Sequence, residues 1–509
     1  MLIIYAVIVP LAVMVGYMLT NPLDYSSAAI YGLLALVLVL PLLLRWHFLL
    51  MLATWNMSAV VFLLKGAPTL GMVTMVMSLT ISVLERILDR ERHFLRVPQI
   101  SWSLICMIGV VFFTAKMTGG FGFRAFGSDV YGGKKYIFAL AGIMGYFAIT
   151  ARRIPLHQAK LALALFFLSG LTAVFSDVVT YAPPGFSFIG WLFPPNLRVD
   201  AGLQWGLTRL GSSAAVSGAV VSYMLAIYGI RGIFSSGRPW RIALFVLSFC
   251  VGLLGGYRVL YISLGGAFLI QFFLEGLHRT KLLPIFAFVA LCAAVALFSV
   301  TPKLPFTVQR SLAFLPLPVD PVARASAQDS VEWREDMWKA LMPQVPKYLI
   351  VGKGYGFSSL DFQYMAADTA FHTSDAAQGS LALAGDYHNG WISVLITFGI
   401  WGMITFVWFA VAGVWALYYN YRYGDPALRV VNSFLLATLV VRIGLFLSVS
   451  GGGLHSDMLS LVGILGLGIA LNGGVAQPVV ERAEMKQLLR PVKPFPRPRP
   501  VFQRYRADL

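Results

Sequence analysis

Charge is scarce in this chain of 509 residues: Asp, Glu, Lys and Arg make up 12% of it, against 58% hydrophobic residues and a mean hydropathy of +0.76. Soluble globular proteins carry about twice that charge. So little polar surface cannot cover the several soluble domains that the length alone would suggest. Cysteine is scarce too. Cys106, Cys250 and Cys292 all fall inside apolar runs, which excludes a disulfide framework and leaves no metal-type spacing. Ten-residue alternating patterns are absent, which excludes a transmembrane barrel. No internal repeat is visible, which counts against an inverted-repeat transporter.

What is present instead is a series of long apolar runs separated by short polar stretches. A bilayer core takes about 20 apolar residues per helix, and in lipid every backbone polar group must be satisfied internally. The reading is an all-α, polytopic transmembrane bundle of about 14 spans, at 3–20, 28–44, 48–64, 67–85, 101–117, 136–151, 161–182, 212–230, 242–256, 259–276, 282–299, 390–419, 427–449 and 457–473. Four regions follow: spans 1–11 over 1–299, a long polar loop over 300–389, three further spans over 390–473, and a basic Pro/Arg-rich tail over 474–509. Residues 2–20 have neither a basic leader nor a small-residue cleavage site, and read as a retained span.

The formal charge of +17 is the one feature that points towards nucleic acid, and its distribution removes that reading. Alternate loops, with the tail, hold 23 of the 39 Lys and Arg and only 8 of the 22 Asp and Glu. The opposite loops are nearly neutral. Basic loops face the cytoplasm, so both termini are expected there and the 300–389 loop on the outer face. The tail, KPFPRPRPVFQRYR, has no apolar period and reads as a disordered segment against anionic headgroups. The expected partners are membrane lipids, with no nucleic acid.

With the spans drawn, the ionisable residues near the outer face carry the chemistry. Arg209 opens span 8 in GLTRLGSS, where it either snorkels to the interface or binds an anion. Arg258, in LLGGYRVLYISLGGA, sits where spans 9 and 10 meet with almost no loop, close to apolar helices on both sides, where charge is costly unless paired or facing a cavity. Arg442 lies within span 13 and by the same argument faces the bundle interior. His388, in GDYHNGWISVL, stands at the start of span 12 with Asp386 and Asn389 beside it. An imidazole there can act as a base, and Asn389 can cap the following helix. The bland alternative for each is a structural hydrogen bond or ion pair at the interface.

The long loop is not a plain linker. Asp329-Ser330-Val331-Glu332 resembles a capping box, and Trp333, Met337 and Leu341 follow at helical spacing before Pro346, so an amphipathic helix is expected over the mouth of the bundle. Gly352-Lys353-Gly354-Tyr355-Gly356 lacks the setting of a nucleotide-binding loop and reads as a turn. Arg324, Arg334, Lys347 and Lys353 are the loop's candidates for meeting an anionic group.

Several segments then fall in a recognisable order: Arg209-Leu210-Gly211, Gly256-Tyr257-Arg258, the tryptophan-bearing helix followed by GKGYG, and HNGWISVLITFGIWGMITF with its Gly399-Ile400-Trp401-Gly402 break. Together, over roughly 200–420, they resemble the O-antigen ligase and O-antigen polymerase superfamily. The resemblance implies an inverting, metal-independent glycosyltransferase without cofactor, in the bacterial cytoplasmic membrane. It implies an undecaprenyl-pyrophosphate-linked glycan as donor and a lipid or saccharide acceptor on the outer face. By position it implies His388 as the catalytic or acceptor-activating residue and Arg209 and Arg258 as pyrophosphate ligands; Asn389, Asp386, Arg442 and Arg334 are the candidates for supporting roles by their own placement. The family commonly has Ser where this chain has Tyr257 and Gly390, which bears on hydrogen bonding to the acceptor. Polymerisation, transfer of the glycan to protein, and a non-enzymatic transporter or flippase of lipid-linked sugars remain the alternatives, with a purely structural membrane protein behind them.

Overall fold

The computed structural model describes residues 44–64, 66–89, 93–119, 132–181, 183–186, 188–195, 210–235, 237–357 and 387–478, with a few isolated positions besides. The described residues form an all-helical bundle, with an isolated β-bridge between Val60 and Thr69. In chain order the helices used below are α1 (44–54), α2 (Leu70–Leu88), α3 (Pro98–Met117), α4 (Gly133–Ile149), α5 (Ala159–Leu168), α6 (Ala173–Tyr181), α7 (Gly211–Phe234) and α8 (Pro239–Leu253). They continue as α9 (Arg258–Leu274), α10 (Leu282–Val300), α11 (Phe306–Leu312), α12 (Pro321–Leu341), α13 (Gly390–Tyr423), α14 (Arg429–Leu445) and α15 (Leu454–Asn472).

Among the described residues, eight helical segments are long and apolar enough to cross a membrane, and Pro239–Leu253 and Arg258–Leu274 are shorter apolar helices. Each span expected from residue 67 onward coincides with a helix; the spans expected at 3–20 and 28–44, and the tail beyond 478, lie outside the described residues or almost so. The expected span at 48–64 is corrected. Helix α1 ends at 54, and the chain turns back so that Val60 pairs antiparallel with Thr69. The run is apolar in composition, but Gly66 and Ala67 take positive φ ahead of Pro68. The backbone N–H groups freed at Asn56 and Ser58 donate to the hydroxyls of Ser169 and Thr172. Those hydroxyls sit in the 3-10 turn that separates α5 from α6, so two irregular segments satisfy each other inside the bundle.

The last helix, α15, is the central one. It is buried along most of its length, and glycine lets its neighbours close in: a Cβ at Gly466 would stand 2.0 Å from a methyl of Ile149 on α4. At the perimeter, α10 buries none of its side chains.

Two long helices are broken. In α7 the break is at Gly229 (φ 62°), and the carboxylate of Glu275, just after α9, accepts the freed N–H groups of Ile230 and Arg231 at 3.1 Å each. In α13 the break is at Gly399 (φ 67°), where the sequence places Gly399-Ile400-Trp401-Gly402.

Candidate active site beneath the loop helix

The polar loop folds as expected into an amphipathic helix, but α12 begins well before Asp329. Asp320 is its N-cap, accepting from the Val322 N–H at 2.7 Å, with Pro321 at the first helical position. A proline pre-set for helix after an aspartate cap is a stronger start than the capping-box pattern downstream, so Asp329 to Glu332 lie within the helix. Its buried face runs through Ala323, Ala327, Met337 and Leu341. Pro346 does not end it; after Leu341 the chain passes through a 3-10 turn and a short helix, Val345–Tyr348, which accept Pro343 and Pro346 near their starts. Arg310 of α11 fastens α12, donating to the hydroxyls of Ser326 and Ser330 at 3.0 Å each.

Helix α12 touches two of the residues singled out above. Arg258 is the first residue of α9, after Gly256 (φ 68°) has turned the chain back from α8. Its Nη2 donates to the carbonyl of Ala327 at 3.0 Å. Six residues along, or about 9 Å of helix rise, the Trp333 ring meets the His388 imidazole edge-on with centroids 5.7 Å apart. Trp338 Nε1 adds a hydrogen bond to the carbonyl of Tyr387 at 2.8 Å. One helix thus fixes the backbone before His388 and the guanidinium of Arg258.

His388 itself has φ 49°, a left-handed conformation that costs a non-glycine residue about 1 kcal/mol or more. That strain is held from both sides. Tyr387 is buried, and burial pushes its phenol above the usual range. On the other side Asn389 caps α13, its side-chain oxygen accepting from Trp391 and Ile392 N–H at 3.1 and 3.4 Å. In the first turn of α13, Ser393 donates to the carbonyl of Gly451 at 2.9 Å, while Gly390 lies so close to Phe446 that a Cβ would stand 2.5 Å from it. The start of α13 is therefore seated on the segment joining α14 to α15.

The GKGYG turn and the α13 break are one device. Lys353 and Gly354 N–H donate to Ile396 and Thr397 carbonyls at 2.7 and 2.9 Å, and Ile400 N–H donates to the Leu349 carbonyl at 2.6 Å. Gly352 (φ 83°) and Gly399 permit the approach: a Cβ on either would fall within 3 Å of the other segment's backbone. Tyr136 of α4 then accepts the Tyr355 N–H at 2.8 Å, tying the turn to the bundle. The turn clamps the half-helix Gly390–Phe398 that carries His388 at its head.

Below this arrangement lies a cavity of about 290 Å³, lined by Tyr257 and Ser263 near Arg258, by Arg442 and Phe446, and by Asp457 and Ser460. Arg442 faces the bundle interior as expected, and Asp457 is the opposing charge that acts on it. The Arg442 Nε is buried without a hydrogen-bond partner among the described residues. Asp457 is oriented by Gly452 N–H at 3.0 Å and Ser456 Oγ at 2.9 Å. Neither Arg258 nor His388 lines the cavity, but it lies next to both, in the chain or by packing: Tyr257 precedes Arg258, and Phe446 backs Gly390, two residues after His388.

Arg209 and Asp386 lie outside the described residues. Of the loop cations, Arg324 donates to the Leu317 carbonyl at 2.6 Å, and Arg334 bonds the Ser330 carbonyl within its own helix. Neither is brought to the cavity lining. Among the described residues no three His, Cys, Asp or Glu side chains converge as a metal site would require. Trp338, Arg310, Ser263 and Asp457 were not signalled by the sequence: Trp338 bonds Tyr387, 49 residues on, Arg310 bonds the next helix, and Ser263 and Asp457 reach the cavity from different helices.

Residues 243–407 match the family model described as O-antigen ligase. The match, over about a third of the chain, supports membership of the O-antigen ligase superfamily, and the long apolar helices fit an integral membrane protein. The matched segment contains Arg258, the whole loop helix, His388, Asn389 and the Gly399 break, and leaves Arg209 and Arg442 outside. No curated protein matches the chain.

Proposed function

We propose that this O-antigen ligase-like protein transfers a glycan, with inversion and without metal, from an undecaprenyl-pyrophosphate donor to an acceptor hydroxyl. The observation that carries the reading is the loop helix spanning Arg258 and His388 above a cavity that holds Arg442. In the reaction, the acceptor oxygen bonds the anomeric carbon as the bond from that carbon to the pyrophosphate oxygen breaks. The acceptor proton passes to the His388 imidazole, and the electron pair leaves on undecaprenyl pyrophosphate. The arginines Arg258, Arg209 and Arg442 offset the negative charge that grows on the leaving oxygens, which is worth most where water is excluded. Asn389 and the Trp333 contact hold the imidazole in place; Asp386 and Arg334 are secondary supports. The lipid tail stays among the apolar helices while its head enters beneath α12, which explains a site at the membrane interface.

The membrane is the bacterial cytoplasmic membrane, with both termini on the cytoplasmic side and α12 facing outward, because along the sequence the basic loops alternate with the nearly neutral set to which the 300–389 loop belongs. The test is a purified assay with a lipid-pyrophosphate glycan donor, following release of undecaprenyl pyrophosphate and attachment of the glycan. No release above the protein-free control would contradict transfer and favour a flippase. A deletion strain separates the acceptors: long lipid-linked polymer left unattached fits ligation, and loss of chain extension fits polymerisation.

A further inference from the structure

The opposite end of the bundle holds a second pocket. Helix α3 runs from there towards the GKGYG turn, where Thr114 in its last turn donates to the carbonyl of Val351 just before it. Helix α4 returns from Gly132, beside Tyr355, to Ile149. At this far end, Glu85 and Arg86 of α2, His93 and Phe94, and Arg152 with Arg153 line a cavity of about 380 Å³.

Its walls are built rather than incidental. Leu95 N–H donates to the Thr150 carbonyl at 3.1 Å, and Ile154 N–H to the Ala470 carbonyl at 2.9 Å, so the segments on both rims are fixed by backbone. Arg152 pairs with Glu85, whose other oxygen lies 3.7 Å from His47 Nε2. His47 is in turn held by Ser78 at 2.9 Å. The Arg86 guanidinium lies over the Phe94 ring at 5.5 Å, and Arg153 packs along Gly473 at the end of α15.

The lining thus holds three guanidiniums against one carboxylate. Arg152 is paired with Glu85, so half-buried Arg86 and exposed Arg153 carry the surplus positive charge, which draws an anion to the pocket, and guanidinium forks match phosphate oxygens. Immediately beside the pocket, α2 presents an apolar strip to the outside: Ile87 and Leu88 are 69% and 87% exposed, and Val83 and Leu84 continue it one turn back. A charged head next to an apolar strip fits an amphiphile, and basic pockets between helices at this level bind anionic headgroups.

We propose that this pocket binds the phosphate of an anionic phospholipid, with Arg86 and Arg153 on the phosphate oxygens and the acyl chains along Val83, Leu84, Ile87 and Leu88. The site is independent of the glycan-transfer reading. The test uses the purified full chain, delipidated and returned to phosphatidylcholine nanodiscs with or without phosphatidylglycerol, with bound lipid counted by native mass spectrometry. Phosphatidylglycerol should be retained in preference to phosphatidylcholine, and the double variant R86Q/R153Q should weaken retention at least about tenfold, while K303Q leaves it unchanged. Equal melting temperatures of the variants in pure phosphatidylcholine establish that the fold is intact. Retention unaltered in R86Q/R153Q, or no preference for the anionic lipid, would overturn the proposal. So would millimolar inorganic phosphate abolishing the retention of phosphatidylglycerol, since free phosphate would then be the preferred ligand.

Discussion

The indole of Trp333 stands edge-on to the imidazole of His388, ring centres 5.7 Å apart at 60°. An aromatic edge contact is worth about 0.5–1.5 kcal/mol beyond area burial, and here it restrains a ring on a strained backbone. Trp333→Ala is expected to lower kcat for glycan transfer on the order of tenfold to a hundredfold, as small displacements of a reacting group do, with donor KM little changed. Trp333→Phe should recover much of the loss. A rise in KM with kcat intact would mean that the ring contacts substrate instead of placing the histidine.

Gly399 and Gly352 should be intolerant of any side chain. Gly399→Ala places a Cβ about 2.8 Å from the Leu349 and Ile350 carbonyl oxygens at a positive φ. The expected loss is on the order of 3 kcal/mol, read as a lower melting temperature in detergent together with reduced transfer. Gly265→Ala, where nothing lies within 4 Å of an added Cβ, is the matched control and should be neutral. Equal melting temperatures for Gly399→Ala and the parent chain would contradict the clamp.

These two glycines also show what was legible in the sequence. The GKGYG run reads as a turn and Gly399 as a break, each on its own; that they hydrogen-bond one another depends on backbone groups that no side-chain pattern encodes. Arg258, Arg442 and His388 stand out because a charge or imidazole among apolar spans is expensive. Asp457, which shares Arg442's cavity, does not, since it opens an ordinary-looking helix in another part of the chain. The helix α12 was legible from Trp333, Met337 and Leu341, but its start was misjudged because Asp320-Pro321 has no apolar period before it. The 48–64 run misled for the opposite reason: hydropathy counts apolar residues and does not see Asn56 and Ser58 giving their N–H groups to Ser169 and Thr172.

The two charges of the cavity should act in opposite senses. Arg442→Ala removes positive charge from the place proposed for pyrophosphate and should raise donor KM about tenfold to a hundredfold, the range of one charge-assisted hydrogen bond. Asp457→Asn keeps an acceptor for Gly452 and Ser456 while removing the opposing charge, and should lower donor KM. Steady-state kinetics over donor concentration checks both, and a higher KM in Asp457→Asn would argue that its carboxylate binds the acceptor.

Glu275 should matter for stability alone. Its carboxylate accepts the two N–H groups freed at the Gly229 break, at the end of α7 away from the loop helix. Glu275→Ala should cost about 1–3 kcal/mol by leaving them without an acceptor, and Glu275→Gln less, because one oxygen remains. Thermal unfolding in a fixed detergent measures the difference. Transfer per folded molecule should be unchanged in both.

The most direct test is His388→Ala in purified form, measuring donor binding and glycan transfer on the same preparation. The variant should bind the lipid-pyrophosphate donor as the parent chain does while transfer falls by at least about a hundredfold, the usual contribution of a general base. Transfer at the parent rate, with the acceptor hydroxyl still consumed, would contradict a catalytic role for His388 and with it the central claim.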